Sequence, residues 1–171
     1  MSSDLKDLVL DFLADRPHQA GETVQCGWFV FRIVRSGSPP EIETLDMKRF
    51  ASFTTDFTES ERICQLQNQV IRQYQVDASP CSLRHSALVS KSYSSENSEV
   101  FLKHDRLCGG SDSGWYVGVH EEPLDMNDVD SFELRSLYEL TIKDMRMAPY
   151  WLLPEGFLVH LDTGKVERFD P

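Results

Sequence analysis

Leu5, Leu8, Val9, Phe12 and Leu13 fall on one stripe of a helix, with Ser3 placed to cap it and Pro17 to stop it. The pattern then changes period. Glu22 to Arg35 is dense in β-branched and aromatic residues on both alternating sets, which predicts one long central strand. Ser36-Gly37-Ser38-Pro39-Pro40 turns the chain, and Glu41 to Leu45 returns antiparallel. Thr58 and Glu61 have the spacing of a capping box, and Ile63, Leu66, Val70 and Tyr74 recur at helical intervals behind it. Further on, Ser86 to Tyr93, Glu99 to His104 and Gly114 to Val119 read as strands. Asp130 with Glu133 predicts a third capped helix through Phe132, Leu134, Leu137, Tyr138 and Ile142. Asp162-Thr163-Gly164-Lys165 between two apolar runs signals a closing hairpin. The sum is an α+β fold, mainly antiparallel sheet flanked by three or four helices.

The polar stretch 77–84, D-A-S-P-C-S-L-R, is the natural seam. It divides the chain into an N-terminal α+β unit, residues 1–80, and a C-terminal one, residues 81–171, packed together. At 171 residues and 40% hydrophobic content there is enough apolar material for a substantial core. Acids interrupt every apolar run near the N-terminus, so neither a signal peptide nor a spanning helix fits, and a cytoplasmic location is expected.

Charge narrows the choice of partner. The net charge is −11, and residues 121 to 144 hold eight acids (Glu121, Glu122, Asp125, Asp128, Asp130, Glu133, Glu139, Asp144) against the bases Arg135 and Lys143. No basic stripe is present to meet phosphates, which argues against direct nucleic-acid binding. A protein partner with a basic surface suits the acidic segment, because complementary charge speeds encounter. Glu121, Glu122, Asp125, Asp128 and Asp130 form the expected recognition rim, with Tyr116 exposed beside it on the strand face opposite Trp115.

Candidate chemistry is sparse. Cys26, Cys64, Cys81 and Cys108 form no C-x-x-C pair and read as free thiols. No zincin, nucleophile-elbow or P-loop motif occurs. His104, Asp105, Cys108, His120 and Glu121 would converge only if the strands around 104 and 120 are neighbours, and a small hydrolase or metal-dependent enzyme using His104, His120 and Glu121 is the alternative reading. Ser113 has no partner base, and Asp112-Ser113-Gly114 is better explained as a turn feeding Trp115 into the core. No cofactor and no metal are expected.

The second half carries a resemblance. Ala87-Leu88-Val89-Ser90, a strand ending at Arg106, then Asp112-Ser113-Gly114-Trp115-Tyr116 with Gly118 and Glu121 behind it resemble a family of bacterial immunity proteins from polymorphic toxin systems, first catalogued as a domain of unknown function. Asn127, Leu137-Tyr138, Leu152-Leu153 and Pro154-x-Gly156 fit the same pattern, so the likeness spans about residues 84 to 169. It implies an α+β fold and a non-enzymatic function: binding a cognate toxin and blocking it in the producing cell or its siblings; Asp112, Gly114, Trp115 and Gly118 are expected to serve structure.

Overall fold

The computed structural model describes residues 4–96, 99–120 and 129–170. The first helix, α1 (Leu5–Ala14), buries Leu5, Val9 and Leu13 of the predicted stripe, with Phe12 partly buried and Leu8 49% exposed. Its cap is Asp4, whose carboxylate accepts from the Lys6 amide; Ser3 lies outside the described residues. The expected long strand is instead a hairpin, β1 (Thr23–Cys26) and β2 (Phe29–Arg35), paired from Thr23↔Arg32 to Cys26↔Phe29. Gly27 turns the chain at φ 59°, a conformation that costs glycine nothing and that unbroken apolar density on both sides conceals. With β3 (Glu41–Leu45) and β4 (Phe53–Thr54) these strands form an antiparallel meander, β1-β2-β3-β4.

Helix α2 (Thr58–Tyr74) forms where the periodicity places it, but the capping box does not. Thr58 is already inside the helix, and the Asp56 carboxylate accepts from its amide at 3.0 Å. The Glu61 side chain is engaged with Asp4 of α1 instead of reaching back along its own helix.

A second, six-stranded sheet has the order β10-β9-β6-β7-β5-β8. Its strands are β5 (Ser86–Ser90), β6 (Val100–His104), β7 (Asp112–Val119), β8 (Phe132–Ser136), β9 (Phe157–His160) and β10 (Lys165–Arg168). Neighbours are antiparallel except β5 and β7. The β9–β10 hairpin is the one signalled by Asp162-Thr163-Gly164-Lys165. The helix expected from Asp130 is corrected. A 3-10 turn at Val129–Ser131 leads into β8, which pairs with β5 from Ser90↔Phe132 to Ser86↔Ser136. Helix α3 (Leu137–Lys143) begins only afterwards, with the Ser136 hydroxyl accepting from Glu139 N at 3.1 Å. Five residues of β8 align along the β5 edge, and this long-range pairing outweighs the local helical period.

One hydrophobic cluster serves both sheets, running from Leu5, Val9 and Leu13 through Phe31 and Ile63 to Trp115, Leu140 and Trp151. The 77–84 stretch is tied into both: Ser79 N donates to Leu152 O at 2.8 Å and Leu83 N to Trp28 O at 3.0 Å. Gln67 Nε2 of α2 donates to Ala148 O at 3.0 Å, inside a second 3-10 segment at Met145–Tyr150 that covers the core face of the larger sheet. No helix among the described residues is long and apolar enough to cross a membrane.

Candidate functional site

The D-S-G-W stretch opens β7, and every member has a structural use. The Asp112 carboxylate accepts from Gly114 N at 2.8 Å, closing an Asx turn. The Ser113 hydroxyl donates to Ser86 O at 2.8 Å and accepts from Trp115 N at 3.2 Å, so its oxygen is committed to bridging β7 and β5. Gly114 sits at φ 76°, where a Cβ would lie 1.9 Å from Arg106 O; only glycine lets these backbones approach. Trp115 is 1% exposed, stacks on His104 and donates from Nε1 to Trp151 O at 3.1 Å. Here the core assignment of Trp115 holds. The register between β5 and β7 slips at this point, Ser86 facing Asp112 but Leu88 facing Tyr116, which accommodates the turn.

Strand alternation then separates two faces. Trp115 and Val117 point into the core; Tyr116, Gly118 and His120 point the other way, as do Phe101 of β6, His160 of β9 and Phe132 and Leu134 of β8 by their register. On this outer face Phe101 and Phe132 both pack edge-on against Tyr116, at ring separations of 5.6 and 5.8 Å. Gly118 makes room for them: a Cβ there would meet the Phe101 ring at 2.5 Å and Tyr116 Oη at 2.8 Å. The row continues through His120, 4.8 Å from Phe101, to His160, stacked 4.8 Å beyond. At the other end Leu134 is 71% exposed on the edge strand. Tyr116 therefore has the predicted orientation but not the predicted exposure. It is only 5% exposed, because its neighbours on the same face cover it.

The histidines do not form the proposed enzyme constellation. His104 pairs with Trp115, whereas His120 lies five residues beyond Trp115, just past the end of β7 and roughly 17 Å away at strand rise. They also face opposite sides of the sheet. His104 is buried, its ring nitrogens 2.7 Å from Leu153 O and 3.0 Å from Ser113 O, and burial pulls its pKa down against the opposing pull of those carbonyls. His120 Nε2 meets His160 Nδ1 at 2.8 Å, and His160 Nε2 lies 3.7 Å from Glu167 Oε1. Cys108 goes elsewhere again. Its sulfur lies 3.1 Å from His85 Nδ1 and joins a group with Cys81, all three candidate ligand atoms within 4.8 Å of one another. Burial pushes the Cys81 thiol up to about 12 and raises Cys108 as well.

Residues 66–169, well over half of the chain, match the Imm33-like domain family. The chain belongs to this family. The Imm33-like region thus takes in the second half of α2, the linking stretch 77–84 and the whole six-stranded sheet, beginning upstream of where the D-S-G-W resemblance starts. No curated protein and no solved structure matches the chain.

Within the Imm33-like region the acidic rim divides. Glu121, Glu122, Asp125 and Asp128 lie outside the described residues; Asp130 is exposed at the 3-10 turn before β8. The acids that follow are internally paired: Glu133 with Arg135, Glu139 with Lys143 at 3.0 Å, and Asp144 with Arg146 at 2.6 Å. They do not extend the rim. Phe101, Phe132, His160, Cys81 and His85 escaped the sequence reading, since each acquires its neighbours from another strand and nothing local marks it.

Proposed function

We propose that this protein is an immunity protein of a polymorphic toxin system, acting in the cytoplasm by binding a cognate toxin and occluding it, without chemistry of its own. The observation that carries this reading is membership of the Imm33-like family across residues 66–169. Two features support a location for the contact. The outer face of the larger sheet carries an aromatic and imidazole row between Phe132 and His160, with Leu134 exposed at its edge. Residues 121–128, between β7 and β8 in the sequence, carry four acids and no base. A partner with an apolar centre and a basic margin matches this surface: the row supplies desolvated contact area, and the acids steer encounter.

Co-expression with the candidate toxin, scored by growth, tests the function, and association kinetics test the surface. Asp125→Lys with Asp128→Lys should slow association and flatten its dependence on salt, because rim charges act mainly through encounter. Stability should move by no more than about 0.5 kcal/mol. Identical association rates for the wild type and the double variant at low and high salt would remove the acids from the interface. Failure to rescue growth against every neighbouring toxin would overturn the immunity reading itself.

A further inference from the structure

We infer that Cys81, His85 and Cys108 form a binding site for a thiophilic divalent cation, zinc by its chemistry, that clips the loop between β6 and β7 onto the chain segment entering β5. The three residues come from separate stretches of sequence. Cys81 and His85 precede β5, and Cys108 lies in the loop after β6. Their ligand atoms converge within 4.8 Å, with Cys108 Sγ 3.1 Å from His85 Nδ1. Two zinc–sulfur bonds of about 2.3 Å and one zinc–nitrogen bond of about 2.0 Å, arranged tetrahedrally, require donor separations of about 3.6–3.8 Å. The observed cluster brackets that range, so small side-chain rotations suffice.

Backbone hydrogen bonds position the stretches that carry Cys108 and His85 independently of any ion. Gly109 and Asp112 exchange both their hydrogen bonds, at 2.9 and 3.0 Å, closing a tight turn that holds Cys108 beside the start of β7. Ser86 N donates to Ser111 O at 2.8 Å, and His85 N donates to Ser82 O at 3.0 Å, fixing the other side. The Cys81 thiol donates to Ser113 O at 3.4 Å, a hydrogen bond that loading gives up with the proton, and the Ser79 hydroxyl lies 3.3 Å from the same sulfur, placed to donate to a thiolate as an outer-shell partner. His85 Nδ1, which in this structure accepts from Ser82 N at 3.1 Å, lies equally close to Cys108 Sγ at 3.1 Å; loading exchanges the hydrogen bond from Ser82 N for a coordination bond.

Two thiolates and an imidazole select zinc over magnesium or calcium, which take oxygen donors. Three protein ligands leave one tetrahedral position for water or for a donor brought from outside. The site lies on the core-side end of β7, at the D-S-G-W turn, and is distinct from the outer face assigned to toxin contact. Its test therefore uses no toxin.

Protein purified under reducing conditions and stripped with a chelator is titrated with cobalt(II) as a spectroscopic probe and then with zinc, with metal content read by elemental analysis. Wild type should take up one equivalent and show thiolate-to-cobalt charge transfer with the intense visible bands of tetrahedral coordination. His85→Ala and Cys108→Ser, both at partly exposed positions, should bind at least about a hundredfold more weakly while keeping the wild-type circular dichroism spectrum. Cys26→Ser, on β1, should bind as wild type. Chelation should lower the melting temperature of wild type and leave Cys108→Ser unmoved. The inference is overturned if reduced wild type takes up no stoichiometric metal, if all variants bind alike, or if Cys81 and Cys108 prove to be joined as a disulfide whose reduction brings no metal uptake.

Discussion

Gly114 and Gly118, four residues apart on one strand, are required for different reasons. At Gly114 the added methyl would strike backbone, the Arg106 carbonyl at 1.9 Å, and the positive φ would strain it further. Gly114→Ala should therefore abolish soluble folded protein, assayed by expression and circular dichroism. At Gly118 the added methyl meets the Phe101 ring and the Tyr116 hydroxyl, side-chain atoms that can shift. Gly118→Ala should fold with a loss of about 1–3 kcal/mol in denaturant unfolding, as for an overpacked site. Trp115→Ala removes a fully buried ring and its bond to Trp151 O, and about 3–5 kcal/mol of stability should go with it. An unchanged melting temperature in that variant would contradict the core placement.

The contact between α1 and α2 contains a carboxyl pair. The hydrogen bond to Asp4 lifts Glu61 to about 7 from its ordinary 4.5, and the same bond holds Asp4 below its own usual value. One proton is shared, resting on Glu61. Because Glu61 binds its proton more tightly folded than unfolded, its contribution is complete below about 4.5 and is lost as pH rises through about 7, whereas Asp4, held below its usual value, loses its share as pH falls. Asp4→Asn keeps an N-capping side chain while removing the charge. The melting temperature of wild type should fall between pH 5 and pH 7.5 by more than that of Asp4→Asn; equal slopes would show that the pair is not coupled. At the start of α3 the expected cap was displaced along the chain. Ser136→Ala should cost about 1 kcal/mol, since Ser136 is the side chain that caps this helix.

The two sheets share one core, while the larger sheet turns its other face outward. Leu134, on the edge strand of that face, is 71% exposed, so it contributes little to folding. Leu134→Glu should change stability by no more than about 0.5 kcal/mol yet weaken toxin binding, measured by calorimetry. Unaltered affinity would move the contact away from this end of the aromatic row.

Much of this architecture was legible before any coordinates. The stripe of α1, the periodicity of α2, the strands around 86, 100 and 115 and the closing hairpin all follow from intervals within a few residues, and they appear where those intervals put them. The structural roles of Asp112, Gly114 and Trp115 were legible for the same reason, because a turn's chemistry is written in consecutive residues. The β1–β2 hairpin, the replacement of a helix by β8 and the covering of Tyr116 were not. Each depends on a partner distant in sequence: the β5 edge that accepts β8, or the Phe101 ring that shields Tyr116. Periodicity reports which side of an element is apolar, but strand pairing decides what lies opposite it. That is why Cys108 meets His85 and Cys81 in space, and why His104, paired near the start of β7, and His120, just past its end, never meet at all.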